Sequence, residues 1–559
     1  MRKYKILYLT VLFILALCLP KAVSARPFWY GSIVRVEGDT AYIEWKDLET
    51  KHYFSCSVTT HACEDIAVVP PAPATGPSVA AQNTQVTFPK KTSYQRLSPT
   101  GRYGAYISFD KSSSLRTVGL IDGKTKGRYA VNNTLTFWDS LQEQPHIFRF
   151  APDESTLAYV DDRSGFLSLY VASLSSPSSK ALRGTAITSG ITIGDFLYTD
   201  PETLLYVANT AENPYNWILY SYNIKLKTKK ILAENVAYDT VLRPSGSAVL
   251  FTQMTPLGTA PVVINDLATG IVSPFDVPMK TPLYNDATFY IHQKLGGVET
   301  VFMRSSLKAP PQAGETPSPL IVWLHGGPYR QTSFIRHPYS SYGVYDWMLE
   351  EAVGAGAEVL KIDYAGSYGG SRAHTEAIRR GVGKNDMTDV ANAISALKKG
   401  RSVGDIYLVG NSYGGYLALR SLAGYPELFA GALSINGVTD WAALNTYLQN
   451  SIFNTLFGGV PGGHNASLYE KASIISRLKR VTAKKIFIIQ AEKDTTVPPI
   501  QATFLQEKMK ANKVPGTFII IPGENHVFAK NQSMDTICQT LFTMVGLDAD
   551  NKCALERQQ

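Results

Sequence analysis

The chain has 559 residues, of which 45% are hydrophobic and 18% charged, so it can bury a sizeable core and is too long for one ordinary domain. Its formal net charge is +8, and it falls to +4 without residues 1–25, since 50 basic and 46 acidic residues then remain. So mild an excess, with no basic run that carries interleaved aromatic residues, gives nucleic-acid binding no support.

Residues 1–25 predict a cleaved signal peptide. A basic start precedes an apolar run from Ile6 to Leu19 and a small-residue exit at 23–25. A membrane anchor is the alternative, but 14 apolar residues fall short of the roughly 20 that span a bilayer. We therefore expect an exported protein, periplasmic or secreted, with no integral membrane segment after cleavage.

Residues 26–67 predict a small β module, because apolar and polar residues alternate between turn signals near Gly38 and Asp47. The following stretch, residues 68–85, is rich in Pro, Ala and Gly, which is typical of a linker. The first module is therefore expected to be separated from the next domain by a flexible connection.

Residues 86–278 predict a β-propeller-like domain, because the segment repeats itself loosely. Similar strand-like runs contain Pro99, Pro152, Pro201 and Pro244, which lie 53, 49 and 43 residues apart. Periods of about 40 to 50 residues with short strands are typical of propeller blades. An unrelated β-sandwich is the alternative, because four imperfect repeats could arise by chance.

In residues 279–559 strand-like runs alternate with helical periodicity. On one predicted helix Met387, Val390, Ile394 and Leu397 share a face. Six apolar runs predict strands at 319–327, 357–364, 405–410, 431–436, 484–490 and 517–523. Strands that alternate with helices predict a mostly parallel sheet covered by helices on both faces.

Two serines follow predicted strands in glycine-rich turns, Ser367 in GSYGGS and Ser412 in GNSYGGY. A nucleophile elbow needs small residues two positions before and after the serine and a helix that starts at once. Gly410 and Gly414 meet this need around Ser412, whereas Ser367 has Ala365 in the first position and a polar stretch after it. In an α/β hydrolase the nucleophile also lies two strands after the HGG loop, so Ser412 is the predicted nucleophile.

Two further groups are needed, a base that removes the hydroxyl proton and an acid that orients the base. Only His464 and His526 of the nine histidines lie beyond Ser412, and His464 precedes the candidate acid Asp494. The order Ser412, Asp494, His526, at intervals of 82 and 32 residues and each after a predicted strand, predicts a triad. Singly, Asp494 could cap a helix near Pro499 and His526 could be an ordinary loop residue.

Three other residues are candidates for contact with a substrate. The HGGP stretch at 325–328 offers a loop whose backbone can approach a developing oxyanion, so the N–H groups of Gly327 and Tyr413 are the candidate donors. Ordinary turn chemistry is the alternative. Trp441 could approach the substrate side-chain pocket, with a place in the core as the alternative reading.

Four cysteines remain outside residues 1–25, in the local pairs Cys56 with Cys63 and Cys538 with Cys553. In an exported protein these pairs predict two short-loop disulfides, with buried free thiols as the alternative. Neither pair has CxxC spacing and no histidine cluster lies near them, so no metal site is expected.

Together these motifs resemble the prolyl oligopeptidase family of serine peptidases, especially its acylaminoacyl peptidase and dipeptidyl peptidase relatives. The matching stretches span nearly the whole of 279–559: HGGP, DYAGSYGG, GVGKNDMTDV, GNSYGGY, DTTVPP and GENHVF. The resemblance implies an α/β-hydrolase domain after an N-terminal β-propeller that limits access. It also implies that Ser412 is the nucleophile and that Ser367 occupies a structural loop.

The sequence departs from the family pattern in three respects. Four repeats are visible, whereas a family propeller usually has about seven or eight blades. Gln490-Ala491 stands where the family usually has His-Gly before the triad acid. The paired glutamates with which dipeptidyl peptidases hold a substrate amino terminus cannot be located.

The sequence therefore predicts an exported serine peptidase that acts on short peptides without a cofactor. An esterase with the same triad is the first alternative, because a fold does not determine its substrate. The second is a binding protein whose β modules recognise a partner. The oligomeric state cannot be predicted.

Overall fold

The computed structural model describes residues 29–46, 49–72, 86–90, 92, 94–110, 115–135, 147–175, 180–256, 258–277, 288–307, 316–449, 451–482, 485–549 and 553. The predicted signal peptide, residues 73–85 of the predicted linker and the junction at 278–279 lie outside these residues. Within the described ranges, no helix is both long enough and apolar enough to cross a bilayer.

The N-terminal half is built of β-strands. Their bounds are β1 Trp29–Glu37, β2 Thr40–Lys46, β3 Lys51–Ser57, β4 Cys63–Ile66, β5 Tyr94–Leu97, β6 Tyr103–Asp110, β7 Leu115–Asp122, β8 Arg128–Leu135, β9 Phe148–Phe150, β10 Thr156–Asp161, β11 Ser168–Ser173, β12 Thr185–Ala186, β13 Ile193–Asp200, β14 Thr203–Ala208, β15 Ile218–Asn223, β16 Thr228–Ala233, β17 Arg243–Ser245, β18 Ala248–Thr255, β19 Gly258–Ile264 and β20 Val272–Pro274.

These strands form a propeller-like series of units. Strands β5–β8, β9–β12 and β13–β16 each make a separate antiparallel four-stranded sheet, and β17–β20 pair in the same way. Pro99, Pro152 and Pro201 lie at the turn between the first and second strand of their units, and Pro244 lies within β17. Three of the four repeats seen in the sequence therefore mark the same turn of successive units, and the propeller-like part of the predicted fold class is confirmed.

The segment predicted as a small β module continues the sheet of the fourth unit. Strands β1–β4 form an antiparallel meander, and the start of β1 pairs in parallel with β19, where Trp29 faces Gly258 and Tyr30 faces Thr259. The chain thus returns to its beginning after about 230 residues. This pairing joins distant segments, so local patterns in the sequence do not predict it.

The C-terminal half contains the remaining strands and all the described α-helices. Their bounds are β21 Thr288–Leu295, β22 Val298–Ser305, β23 Leu320–Leu324, α1 Ser340–Gly354, β24 Glu358–Asp363, α2 Arg372–Glu376, α3 Asn385–Gly400, β25 Ile406–Asn411, α4 Tyr413–Gly424, β26 Gly431–Ile435, α5 Trp441–Leu448, α6 Ser451–Phe457, α7 Ala466–Ala472, β27 Lys485–Ala491, α8 Ile500–Ala511, β28 Thr517–Ile521 and α9 Asn531–Val545.

One eight-stranded sheet organises this half, in the order β21-β22-β24-β23-β25-β26-β27-β28. The pairs from β24 through β28 are parallel, and the hairpin β21–β22 adds an antiparallel edge. The six strands predicted from the sequence are all present, and the hairpin was not predicted. Because the carboxyl ends of parallel strands meet at one edge, the loops after β23, β24, β25, β26, β27 and β28 converge there.

Both faces of the sheet are buried. Along β23, Leu320, Val322 and Leu324 face the core that contains helices α3 and α4, whereas Ile321 and Trp323 face the core that contains α1 and α9. Alternate side chains of a strand point to opposite faces, so a continuous apolar run is what a doubly covered strand requires.

Candidate active site

Ser412 stands at the junction between β25 and α4, at the carboxyl edge of the sheet. Its backbone has φ 58° and ψ −118°, a region that residues other than glycine rarely adopt. Its N–H donates to the Ile435 carbonyl at 2.8 Å, and the Tyr416 N–H donates to the Ser412 carbonyl at 3.0 Å. The strained turn is thus held by the neighbouring strand and by the helix that starts at once.

The flanking glycines are required by crowding. A β-carbon on Gly414 would lie 1.9 Å from the Leu324 carbonyl oxygen, and one on Gly410 would lie 2.4 Å from the Gly414 backbone. No side chain fits at either position without moving the backbone. The GxSxG spacing is therefore the sequence that this strand-to-helix turn demands.

The structure brings Ser412, Asp494 and His526 together, although they follow three different strands. His526 Nε2 lies 3.0 Å from Ser412 Oγ, and His526 Nδ1 lies 2.7 Å from Asp494 Oδ2. The Asp494 side chain is fully buried, whereas the His526 side chain is 17% exposed and Ser412 is half-buried. A histidine held between a buried carboxylate and a hydroxyl at these distances has the geometry of a general base.

The loop of Asp494 is held by its own hydrogen bonds. Oδ1 accepts the N–H groups of Thr496 and Val497, both at 2.8 Å, whereas Oδ2 contacts the histidine and accepts a longer hydrogen bond of 3.5 Å from Gln490 Nε2. Buried Gln490 donates from Nε2 to the Val497 carbonyl at 3.1 Å. Pro499 occupies the N-cap position of helix α8 and no side chain caps that helix, so the capping alternative does not describe Asp494.

Asn436 is a site residue that the sequence reasoning missed. It is fully buried after β26, its Oδ1 accepts the Ala491 N–H at 2.8 Å, and its Nδ2 donates to the His526 carbonyl at 3.0 Å. It therefore ties the loop of the triad acid to the loop of the histidine. The sequence did contain a signal for this residue, because Asn436 follows the predicted strand that lies between the strands preceding Ser412 and Asp494.

The HGGP loop lies directly against Ser412. A β-carbon on Gly326 would lie 3.2 Å from Ser412 Cβ, and Gly327 has φ 125°, which only glycine adopts readily. Tyr413 begins α4, where backbone N–H groups have no acceptor within the helix. The N–H groups of Gly327 and Tyr413 thus belong to the two segments that adjoin Ser412 Oγ, and they remain the candidate oxyanion donors.

Ser367 occupies a different environment. Its side chain is fully buried, and its Oγ lies 2.8 Å from Nε2 of His325, which is itself 1% exposed. Burial lowers the pKa of His325 to about 4. These contacts fit the structural role expected for Ser367, because its hydroxyl holds the histidine of the HGGP loop in place.

Trp441 lies in the core and does not line an open pocket. It is 1% exposed, begins α5, and its ring packs against Tyr416 and Phe457 at centroid distances of 5.1 and 5.6 Å. The structure therefore supports the core alternative over the expected approach to a substrate. Trp441 also contacts the ring of Tyr413 at 5.6 Å, so it supports the start of α4 from below.

The structure joins the cysteines in the expected pairs. Cys56 in β3 faces Cys63 in β4 directly across the ladder, and Cys538 in α9 is joined to Cys553. In the part of the chain that the structure describes, no group of three or more His, Cys, Asp or Glu residues could hold a metal ion.

The β domain packs against the edge of the sheet that carries Ser412. Asn209 Nδ2 donates to the Gly369 carbonyl at 2.7 Å, and Arg372 forms an ion pair of 2.9 Å with fully buried Asp162. Gly369 lies in the loop that follows β24, and Arg372 begins the helix α2 that ends this loop. The propeller-like units therefore border this edge of the sheet on one side.

Comparisons with known proteins agree with this architecture. The profile of the prolyl oligopeptidase family matches residues 344–543. Dipeptidyl aminopeptidase BIII of Pseudoxanthomonas mexicana is 27% identical over 230 residues, which are 39% of this chain and 32% of that protein. The acylamino-acid-releasing enzyme of Rattus norvegicus is 25% identical over 226 residues, 39% of this chain and 29% of that protein. The matched segment thus spans about a third of these curated relatives.

Among solved structures, a puromycin-hydrolyzing peptidase of Mycobacterium tuberculosis superposes with a TM-score of 0.68 at 19% identity, over 93% of this chain and 86% of that chain. Dipeptidyl peptidase 4 of Porphyromonas gingivalis gives 0.64 at 16% identity, over 93% and 72%. At these identities the likeness concerns the fold, which is shared across both halves. Within the α/β-hydrolase domain, this chain therefore matches the prolyl oligopeptidase family of serine peptidases over residues 344–543.

Proposed function

We propose that the chain is an exported serine peptidase that hydrolyses peptide bonds of short peptides through Ser412, Asp494 and His526. The observation that carries the proposal is the chain of contacts from Ser412 Oγ to His526 Nε2 at 3.0 Å and from His526 Nδ1 to Asp494 Oδ2 at 2.7 Å. The match to the prolyl oligopeptidase family over residues 344–543 supports it independently.

The first half of the reaction forms an acyl-enzyme. Ser412 Oγ attacks the scissile carbonyl carbon while its proton passes to His526 Nε2, and buried Asp494 orients the ring and stabilises its positive charge. The negative oxygen accepts hydrogen bonds from the Gly327 and Tyr413 N–H groups, and each such donor typically lowers the barrier by about 3 kcal/mol. His526 then returns the proton to the leaving amine.

The second half releases the product. Water attacks the ester carbonyl of the acyl-enzyme, its proton passes to His526 Nε2, and the collapse of the second tetrahedral intermediate returns that proton to Ser412 Oγ. One histidine thus acts as base and then as acid in both halves, which requires only the two contacts described above.

An esterase with the same triad is the second candidate. The experiment compares chromogenic aminoacyl, acylaminoacyl and dipeptidyl amides with nitrophenyl esters, using the full chain and Ser412→Ala. Turnover of amides that is absent from folded Ser412→Ala supports the peptidase. If esters alone are cleaved in a broad panel, the esterase is the correct function. If neither class is cleaved by the folded protein, the binding-protein alternative gains.

The position of the β domain suggests a limit on substrate size. We expect short peptides and a reduced, alkylated polypeptide to be cleaved, and the same polypeptide in its folded, disulfide-bonded form to stay intact, because a folded substrate must open locally to reach Ser412. Equal cleavage of the folded and unfolded forms would contradict a size filter.

Export is part of the proposal and is supported by the paired cysteines. Two disulfides form stably in an oxidising compartment, so the intact mass of the exported protein should be about 4 Da below that of its reduced form. Labelling of all four cysteines by a thiol reagent in the native protein would argue against export.

A further inference from the structure

A cavity with both apolar and cationic lining adjoins the helix α4 that follows Ser412. It has a volume of about 220 Å³ and is bounded by the segment that leads into α3, by α4, and by α6 and α7 with the turn after them. Five cationic side chains line it: Arg380, Lys384, Arg420, Lys471 and Arg477. No aspartate or glutamate is among the described residues that line it.

Among these side chains, Arg420 provides the main evidence that the cavity holds a ligand. It is 7% exposed, its Nη1 donates to the Met387 sulfur at 3.2 Å, a weak acceptor, and its Nε has no hydrogen-bond partner among the described residues. That Nε lies 3.1 Å from the position of a β-carbon on Gly383, which lines the same cavity. The guanidinium therefore carries a buried, unsatisfied donor beside a residue that lines the cavity.

The neighbouring cations increase the excess of positive charge. Arg477 also has a buried Nε without a partner, and within the described chain none of the five cations forms an ion pair. The charge of Asp386 acts on Arg420, but Oδ2 of Asp386 already accepts the Gly383 N–H and the Tyr413 hydroxyl. Burial lowers the pKa of Arg420, and the charge of Arg477 lowers it further.

Buried donors without acceptors and like charges side by side both destabilise the folded protein. An oxyanion would satisfy the guanidinium donors with charge-assisted hydrogen bonds and would neutralise the repulsion. A volume of 220 Å³ corresponds to about seven waters at roughly 30 Å³ each, which is room for a phosphate group with a few waters. We infer that this cavity binds a phosphate group, either as inorganic phosphate or as part of a small phosphorylated molecule.

The site is separate from the triad. Arg420 lies eight residues beyond Ser412, so the two are about 12 Å apart along the axis of α4 at 1.5 Å per residue. The buried aromatic cluster of Tyr413, Tyr416 and Trp441 stands beside the helix between them. Phosphate bound at Arg420 therefore leaves the acyl-transfer site open.

The test is thermal unfolding of the full chain titrated with inorganic phosphate, and separately with glycerol 3-phosphate, at a constant ionic strength maintained with chloride. We expect a saturable rise in Tm that chloride does not reproduce. Lys471→Gln and Arg477→Gln, which replace the less buried cations, should each weaken the apparent affinity about tenfold or more, because each removes a charged hydrogen-bond donor.

Lys479→Gln is the matched control, because Lys479 is an exposed cation of the same segment that does not line the cavity, and its affinity should equal that of the wild type. Ser412→Ala should also bind phosphate normally. The inference fails if Tm does not rise saturably, if chloride gives the same rise, if the cavity variants bind like the wild type, or if Ser412→Ala abolishes binding. Saturation at a lower concentration of glycerol 3-phosphate than of phosphate identifies a phosphorylated molecule as the ligand, and the reverse identifies free phosphate.

Discussion

The domain contains two sets of serine, histidine and aspartate within hydrogen-bonding reach of each other, and they differ in almost every physical respect. The first set is Ser412, His526 and Asp494. In the second, His325 Nε2 lies 2.8 Å from Ser367 Oγ and 3.5 Å from Asp363 Oδ1. Both sets lie at the carboxyl edge of the same sheet.

The two histidines use their nitrogens differently. His526 faces the serine with Nε2 and the aspartate with Nδ1, so a proton can arrive on one side while the carboxylate stabilises the other. His325 faces both partners with Nε2, and its Nδ1 lies 2.7 Å from the Gly326 carbonyl oxygen. That arrangement fixes a loop and offers no orienting carboxylate behind the base.

Burial keeps the histidine and the aspartate of the second set uncharged near neutral pH. It lowers the pKa of His325 to about 4 and raises the pKa of Asp363 to about 8, so the neutral form of each is favoured. Ser412 stands at a strained, partly open turn, whereas Ser367 is closed off from any substrate. The presence of a serine, a histidine and an aspartate is therefore not sufficient to activate the serine. The two sets differ in access, in backbone geometry and in whether the histidine contacts its partners through two separate nitrogens.

The largest expected effect separates the two serines. Ser412→Ala should abolish labelling by a fluorophosphonate probe and lower kcat for a cleavable amide by about a millionfold, because the attacking oxygen is lost. Ser367→Ala should keep its labelling and most of its turnover, with a small loss of stability from the unpaired His325 Nε2. Labelling that persists in folded Ser412→Ala and disappears in Ser367→Ala would reverse the assignment.

The next effect separates the two aspartates. Asp494→Asn should lower kcat by about 10⁴-fold with KM nearly unchanged, because an amide neither orients His526 in the required tautomer nor stabilises its charge. Asp363→Asn should leave kcat within a fewfold of the wild type, since its Oδ1 can still accept the Thr332 N–H. Steady-state kinetics of both purified variants provide the comparison, and an unchanged kcat in Asp494→Asn would remove that residue from the mechanism.

The sequence was sufficient for the first set because every part of it leaves a local signature. GxSxG marks the elbow, and Asp494 and His526 each follow an apolar strand in an order that the fold prescribes. The parallel sheet and the periodic β units were predicted for the same reason, since hydrophobic periodicity is local. Helix α3 contains the four apolar positions that the pattern placed on one face.

What could not be predicted depends on segments that meet only in the folded chain. The role of Asn436 follows from two backbone groups on separate loops, and the parallel pairing of Tyr30 with Thr259 joins the chain across most of the β domain. The burial of Trp441 depends on rings from several helices. None of these arrangements is encoded as a period or a motif, so tertiary packing decides each of them.

The smallest expected effect is on the pH dependence of stability, and it has opposite signs for His325 and Asp363 of the second set. Between about pH 4 and 6.5 the unfolded chain protonates His325 and the folded chain does not, so the wild type loses stability from this residue as pH falls through that window. Asp363 behaves in the reverse way. From about pH 4 to 8 the folded chain keeps a proton that the unfolded chain releases, so stability is lost as pH rises.

Chemical denaturation from pH 4 to 8 measures both slopes. Relative to the wild type, His325→Gln should become more stable as pH falls and Asp363→Asn as pH rises, each by a few kcal/mol, whatever constant cost the substitution itself brings. In the wild type the contributions of His325 and Asp363 to the slope of stability against pH have opposite signs between about pH 4 and 6.5. Each contribution can therefore be measured only in the variant that removes the other or by comparison of a variant with the wild type. Profiles of both variants that run parallel to the wild type would mean that the second set ionises like exposed groups, and its distinction from the Ser412 set would then rest on geometry alone.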